Sequence, residues 1–490
     1  MSAAHRKRGG SGGRSAPGLM NRRNLVCVVI ATLCLSFPAG ARAQVTTGTL
    51  QLALVIPVHS APLFSAAGTP VKDADARVRS LTGQLDRLRS PELEDLPFAL
   101  SPSPVLCDEL VQLGGAGQGL TDILLALSTR ARPVANPYAD VRLTDLPIST
   151  VGGELAEGQR RVAPCGQPDR TVLLPPDLEL DDEALAAIED AGVTVALAPL
   201  QRVPRGPTRP NDVTLVPTAA VGSDETPNDT FLHFQNVTRA VALIAPQRPD
   251  LVTFISSLAN DPRIELVDIR DLVTDPISRP VAFPSSPSPP ASYRRTIDAA
   301  EDALRRLRSF TTPGNRLVEI LRTSAARARS SAEWNGNWSV GRSRARDLVG
   351  VVDGQQDLVS AADGSVTFTS QRGSVPVTVT NDTGYPVRVL VTLQSSKLEF
   401  PDGRSRVVVV DPPGDTVVFV ALARSTGTFP VQVDVTTADG RIRFEGSELT
   451  VRSTAANLAG LVLTTGAALF LAGWYVRHRR RRHKERVTST

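Results

Sequence analysis

The chain has 490 residues, with 54 lysines and arginines against 50 acidic residues, for a net charge of +4. Much of that excess lies in a basic N-terminal region and an arginine-rich C-terminal tail. The stretch between them is close to neutral or acidic, which argues against a nucleic-acid partner. About 410 residues remain once both ends are set aside, enough for two or three domains.

Arg22 and Arg23 precede an apolar stretch, Leu25 to Phe37, closed by Pro38, Gly40 and Ala41-Arg42-Ala43. A positive flank, a short apolar core and an A-x-A site predict a signal peptide over residues 1–43, with Gln44 as the mature N-terminus. The arginine pair also fits twin-arginine export, so the route stays open. Cys27 and Cys34 leave with this segment. The remaining Cys107 and Cys165 form an even pair in an exported chain, which predicts one disulfide.

From 44 to 277, short β-rich runs alternate with helical patterns. Leu50–Val58 predicts a buried first strand, and Val71–Leu88 an amphipathic helix. Further strands are expected at Pro97–Leu100, Ala131–Ala135, Thr171–Leu174, Val193–Ala198, Val213–Val216 and Ile264–Ile269. Helices are expected from Asp181 to Gly192 and from Pro249 to Leu258. The glycines between Gly114 and Gly119 predict a flexible loop. Such alternation predicts a (β/α) barrel-like domain, complete or incomplete.

Residues 278–290 are rich in proline and serine and predict a linker. Residues 291–352 form a helical segment. Two helices are expected between Arg294 and Ser330, broken at Thr312-Pro313-Gly314-Asn315, with a short third from Ser343 to Val352. Their arginines favour a solvated hairpin packed on the barrel over an anion site. Residues 353–455 then give seven β-branched runs separated by turn clusters, from Val366–Thr369 to Ile442–Phe444, the pattern of an immunoglobulin-like β-sandwich.

The stretch Leu458–Val476 carries no charge, and its 19 residues would make a helix about 28 Å long. That matches a bilayer core and predicts a transmembrane helix. Trp474 and Tyr475 suit the membrane interface, and the tail 477–490, beginning Arg477-His478-Arg479-Arg480, predicts a cytoplasmic C-terminus. The expected topology is a single-pass type I protein of the cell membrane with an extracellular ectodomain. Membrane lipid is then one partner.

Gly373-Ser374-Val375-Pro376-Val377-Thr378-Val379-Thr380-Asn381-Asp382-Thr383-Gly384-Tyr385-Pro386-Val387, with Phe400-Pro401-Asp402-Gly403 and the closing apolar segment, resembles an uncharacterised family of actinobacterial single-pass membrane proteins. In that family the gene often neighbours a lipid II flippase homologue. The resemblance covers roughly the last 130 residues and implies work in the cell envelope, without supplying a reaction.

Candidate catalytic groups are few. His59 ends the first strand, Asp140 follows the third, and Asp177 and Glu179 follow Leu174-Pro175-Pro176. Active groups of barrels sit at strand C-termini, and two facing carboxylates can hydrolyse a glycosidic bond. Loop residues that cap helices and turns often have the same composition. The ectodomain keeps only His59 and His233, with no metal-ligand spacing, so neither a metal nor another cofactor is expected. The reading that follows is a non-catalytic, glycan- or protein-binding ectodomain that supports cell-wall assembly. The alternatives are a glycosidase-like enzyme using Asp140 with Asp177 or Glu179, and an accessory subunit of a flippase or synthase complex. In the last case the partner would be an envelope-assembly membrane protein.

Overall fold

Leu50–Val58 (β1) is apolar at every position but Gln51, so both of its faces need a cover. In the computed structural model Ala53 and Val55 face the inside of a curled sheet, while Leu52, Leu54 and Ile56 face the surrounding helices. The structure describes residues 49–490 except 280, 282–288, 331–336, 455–457 and 488–490. The expected signal peptide and most of the expected linker lie outside the described residues.

The remaining N-terminal strands are β2 (Ala99–Pro102), β3 (Val134–Ala135), β4 (Asp169–Leu173), β5 (Val195–Pro199), β6 (Thr208–Arg209), β7 (Thr214–Val221), β8 (Arg239–Ile244), β9 (Ile264–Leu266) and β10 (Ile277–Ser278). Seven of them run parallel in the order β2-β1-β8-β7-β5-β4-β3. Only β2 and β3, the two ends of this order, fail to pair, so the sheet is a nearly closed barrel. Alongside β2, β9 pairs with the first residues of β1, Leu50 opposite Ile264. Small and branched side chains (Ala53, Val55, Ala99, Val172, Val195, Leu197, Val216, Val241) fill the interior, which is therefore a packed core rather than a pore.

Two differences from expectation are instructive. Arg239–Ile244 is a central barrel strand that its six-residue run did not distinguish from a helical fragment. The glycine-rich Gly114–Gly119 is no loop. Gly115–Ser128 is a helix, separated from the helix Pro104–Leu113 at Gly114. Leu120, Leu124 and Leu127 hold it against the helices Ala74–Asp86 and Pro104–Leu113, and their burial outweighs the cost of its glycines.

Three helices follow, Ala291–Phe310, Arg316–Arg329 and Trp338–Gln356, the last much longer than expected. The first break falls at the expected place. Gly314 takes φ +79°, and Asn315 caps the next helix, accepting from Leu317 N at 2.9 Å.

The C-terminal strands are β11 (Val359–Ala361), β12 (Gly364–Phe368), β13 (Arg372–Asn381), β14 (Val387–Gln394), β15 (Leu398–Glu399), β16 (Ser405–Val410), β17 (Gly414–Ala423), β18 (Gly427–Thr436) and β19 (Ser447–Ser453). They form two sheets, β11-β13-β17-β15 and β12-β19-β18-β14-β16, antiparallel except for the β12–β19 pair. Alternate residues such as Val375, Val377 and Val379 or Val389, Val391 and Leu393 point inward. They share one continuous core with Leu307, Phe310, Leu348 and Val352 of the helices. The expected strand Ile442–Phe444 makes only an isolated bridge, and β19 takes its place in the sheet. Asn381, in the motif carrying the family resemblance, is fully buried. It donates to Tyr385 O at 2.9 Å and Val410 O at 2.8 Å, tying the β13–β14 turn to β16.

The last helix, Leu458–Val487, covers the expected span and most of the basic tail. Its Leu463, Phe470, Trp474 and Tyr475 are exposed, and Trp474 stacks on His478 with ring centroids 5.3 Å apart. Among the described residues, no helix is long and apolar enough to cross a membrane. The expected span begins among residues 455–461, whose side chains lie outside the described residues.

Candidate functional site

The C-terminal ends of β1, β2 and β3 bring a set of polar groups together. Ser103, after β2, caps the helix Pro104–Leu113 by accepting from Leu106 N at 3.4 Å. Its hydroxyl also donates to Asp140 Oδ2. Asn136, just past β3, bonds the Ser101 hydroxyl and donates to Pro102 O at 3.2 Å. These bonds tie the β2 and β3 loops together where the two strands do not pair. Gly158 allows the approach from the other side: a Cβ there would stand 2.2 Å from Asn136 O. The helix Ile148–Val162 therefore lies directly against this loop.

Asp140 is 4% exposed and takes φ +46°, a backbone conformation that costs a non-glycine residue about 1–2 kcal/mol. Its Oδ1 is buried and has no hydrogen-bond partner among the described residues. The N-terminus of the helix Pro104–Leu113 lies next to it through Ser103, where a negative charge is favoured.

His59, at the end of β1, keeps exposed surface although protein atoms surround its ring. Loss of hydration pushes its imidazole below the usual histidine range; Asp140 opposes that shift and the Arg327 cation adds to it. The unfolded chain therefore binds a proton near pH 6.5 that the folded protein resists, and this contribution to stability is lost as pH falls through 6.5 toward the lower folded value. We expect the melting temperature of the wild type to fall more steeply between pH 7.5 and 5.5 than that of His59→Gln. Equal slopes would show that His59 does not titrate in this way.

The helix Arg316–Arg329 lies against this end of the barrel, and three of its arginines are paired with acids rather than solvated as expected. Arg327, 1% exposed, makes a forked pair with the fully buried Glu109, Nε to Oε1 at 3.2 Å and Nη2 to Oε2 at 2.8 Å. Glu109 also accepts from Leu63 N at 3.2 Å. Arg322 meets Asp108 and Glu157, each at 3.1 Å, and Arg329 pairs with Glu154. Tyr138 donates to Asp108 at 2.7 Å, and burial raises the Asp108 carboxyl above the usual range despite Arg322 and Arg161. Ser330 closes the contact by donating to Ala139 O. These acids lie on the helices that follow β2 and β3, so three arginines of one element neutralise the acidic flank of the barrel mouth.

The other two sequence candidates stand apart from this group. Asp177 forms an ion pair with Arg142, Oδ2 to Nε at 2.9 Å, and accepts from Glu179 N at 3.1 Å in a turn where Leu178 takes φ +59°. Burial pushes its carboxyl up. Glu179 is exposed. Sequence reasoning missed Ser103, Glu109 and Arg327. Ser103-Pro104 is a legible helix start, whereas the pairing of Glu109 with a residue 218 positions away left no sequence signal. Cys107 and Cys165 form the expected disulfide and anchor the helix that carries Asp108 and Glu109. Among the described residues, no group of three or more histidine, cysteine or acidic side chains could hold a metal ion.

No curated protein matches the chain. Among solved structures, it is similar to a 4-α-glucanotransferase from Thermococcus litoralis, with TM-score 0.45 and 10% identity over 75% of this chain and 65% of that one. The α-amylase AmyC from Thermotoga maritima gives TM-score 0.44 and 10% identity, covering 62% of this chain and 93% of the amylase. A family 4 carbohydrate esterase from Streptomyces lividans gives 0.28 and 11%, covering 48% and 99%. At these scores the likeness carries no argument about activity. The match that covers most of the chain's sequence runs over residues 183–485, from the second half of the barrel through the helices, both sheets and the final helix, and the chain belongs to the family of unknown function DUF6049.

Proposed function

We propose that this chain is a cell-envelope protein tethered to the membrane by the segment Leu458–Val476, with its barrel acting as a non-catalytic binding module for a wall glycan or a protein. The two-sheet domain, an immunoglobulin-like spacer in this reading, holds the barrel away from the lipid. One observation supports the non-catalytic part: apart from Asp140, the acidic groups described at the barrel mouth are engaged by arginines. Glu109, Asp108, Glu154 and Glu157 are paired with arginines, and Asp177 is paired with Arg142. The exposed apolar residues of the final helix support the tether.

One observation favours the enzymatic alternative. Asp140 keeps a buried, unpartnered carboxylate oxygen in a left-handed backbone near His59, and strained residues cluster at active sites. A single experiment separates the two readings. The full chain in neutral detergent is mixed with purified wall glycan, and both retention on the insoluble polymer and release of soluble sugar are measured. We expect retention without release. Sugar release that Asp140→Asn abolishes would overturn the non-catalytic reading, and absence of both retention and release would leave only a protein partner.

A further inference from the structure

The helices Ala291–Phe310 and Trp338–Gln356 run side by side in the same direction. Ser292 meets Arg342 near their N-terminal ends, and Arg306 pairs with Asp353 at 2.7 Å further along. Between their first halves lies a groove of about 440 Å³, lined by Ser292, Arg295, Thr296, Ala299, Arg346 and Val349. Arg295 and Arg346 are both exposed and pair with no carboxylate among the described residues. Among the described residues Arg342, one turn before Arg346 on the same helix, reaches only the Ser292 hydroxyl, at 3.4 Å, and its buried Nε has no hydrogen-bond partner. Asp298 and Asp347, the nearest acids in sequence, are exposed and make no ion pair with them among the described residues.

This arrangement has a cost. Arg295 and Arg346 face one groove, and Arg342 stands one turn from Arg346, with Arg295 and Arg342 in the second turn of parallel helices whose positive ends lie together. Several other arginines of the helical layer are matched: Arg305 with Asp302, Arg306 with Asp353, and Arg322, Arg327 and Arg329 with barrel acids. Exposed guanidinium groups beside the Ser292 hydroxyl form a donor set that a tetrahedral anion accepts, because planar guanidinium forks bind its oxygens in pairs. We propose that this groove is a binding site for a phosphoryl group, carried either by a phosphodiester-linked envelope polymer or by an anionic lipid headgroup. The site lies on the helical layer and stands independently of what the barrel mouth binds.

The test uses the full chain in neutral detergent and two probes, a soluble glycerol phosphate oligomer and micelles doped with phosphatidylglycerol. The basic tail also attracts anions, so a variant with Arg479, Arg480, Arg481 and Arg482 changed to alanine serves as the reference protein. In that background, Arg295→Ala with Arg346→Ala should weaken binding of the recognised probe by about tenfold or more, the loss expected for charge-assisted hydrogen bonds. Arg346→Gln alone should give an intermediate loss. Both side chains are exposed, so an unchanged melting temperature should accompany each variant. Binding of the soluble oligomer identifies a polymer ligand, and binding of the doped micelles alone identifies a lipid headgroup. The proposal is overturned if neither probe binds the reference protein, or if the double variant binds as tightly as the reference.

Discussion

Arg327→Ala should destabilise the protein by about 3–5 kcal/mol, the cost of leaving a buried charge without its counterion. Glu109 is fully buried, and with Arg327 removed only the Leu63 amide would still reach its carboxylate in the described contacts. Denaturant unfolding of the wild type and the variant measures this difference directly. The pair itself need contribute little net stability, because desolvating both charges costs several kcal/mol each. The double change Arg327→Met with Glu109→Leu should therefore recover most of the loss. A cost below about 1 kcal/mol for Arg327→Ala would show that water reaches Glu109 and that the helix does not seal the barrel. Should the double change prove as harmful as the single one, packing rather than charge would be what holds the Arg316–Arg329 helix in place.

The second large effect concerns the disulfide. Cys107 and Cys165 are 58 positions apart, and closing such a loop removes chain entropy from the unfolded state equivalent to about 4 kcal/mol. Cys107→Ser with Cys165→Ser should cost about 2–5 kcal/mol and lower the melting temperature by several degrees. Reductant should produce the same shift in the wild type and none in the double variant. The consequence reaches the barrel mouth, since Cys107 precedes Asp108 and Glu109 on their helix. Loss of the bond should also bring forward the unfolding of that helix, read as faster amide exchange there than in the two-sheet domain. A melting temperature indifferent to reductant would rule out the stabilising role.

Both sites explain which parts of this protein local sequence could reveal. Leu50–Val58 has no polar face, so a strand covered on both sides is its only economical state, and a parallel barrel follows from the alternation with helices. The two-sheet domain was legible for the same reason. Its valines alternate with polar residues, and the period of 2 survives even where single strands were missed, as with β19. The cysteine pair was legible because only one pairing is open to two cysteines. Arg239–Ile244, a central strand, was not among the expected strands. Gly115–Ser128 misled because glycine's preference for loops is weaker than the burial of three leucines.

Residue periodicity and composition thus settled on their own that the chain holds a barrel-like α/β domain, a helical layer and a β domain, because each depends on interactions between near neighbours. Tertiary structure decided where charge goes. Arginines that any helical wheel would leave in solvent are drawn against Glu109, Asp108 and Glu154, Arg327 fully buried and Arg322 and Arg329 partly so, while Arg295 and Arg346, of identical chemistry, are left facing an open groove. The difference arises from partners hundreds of positions apart, brought within 3 Å of one another only by the folded chain, and Coulomb energy depends on that separation in space and on burial rather than on distance along the sequence.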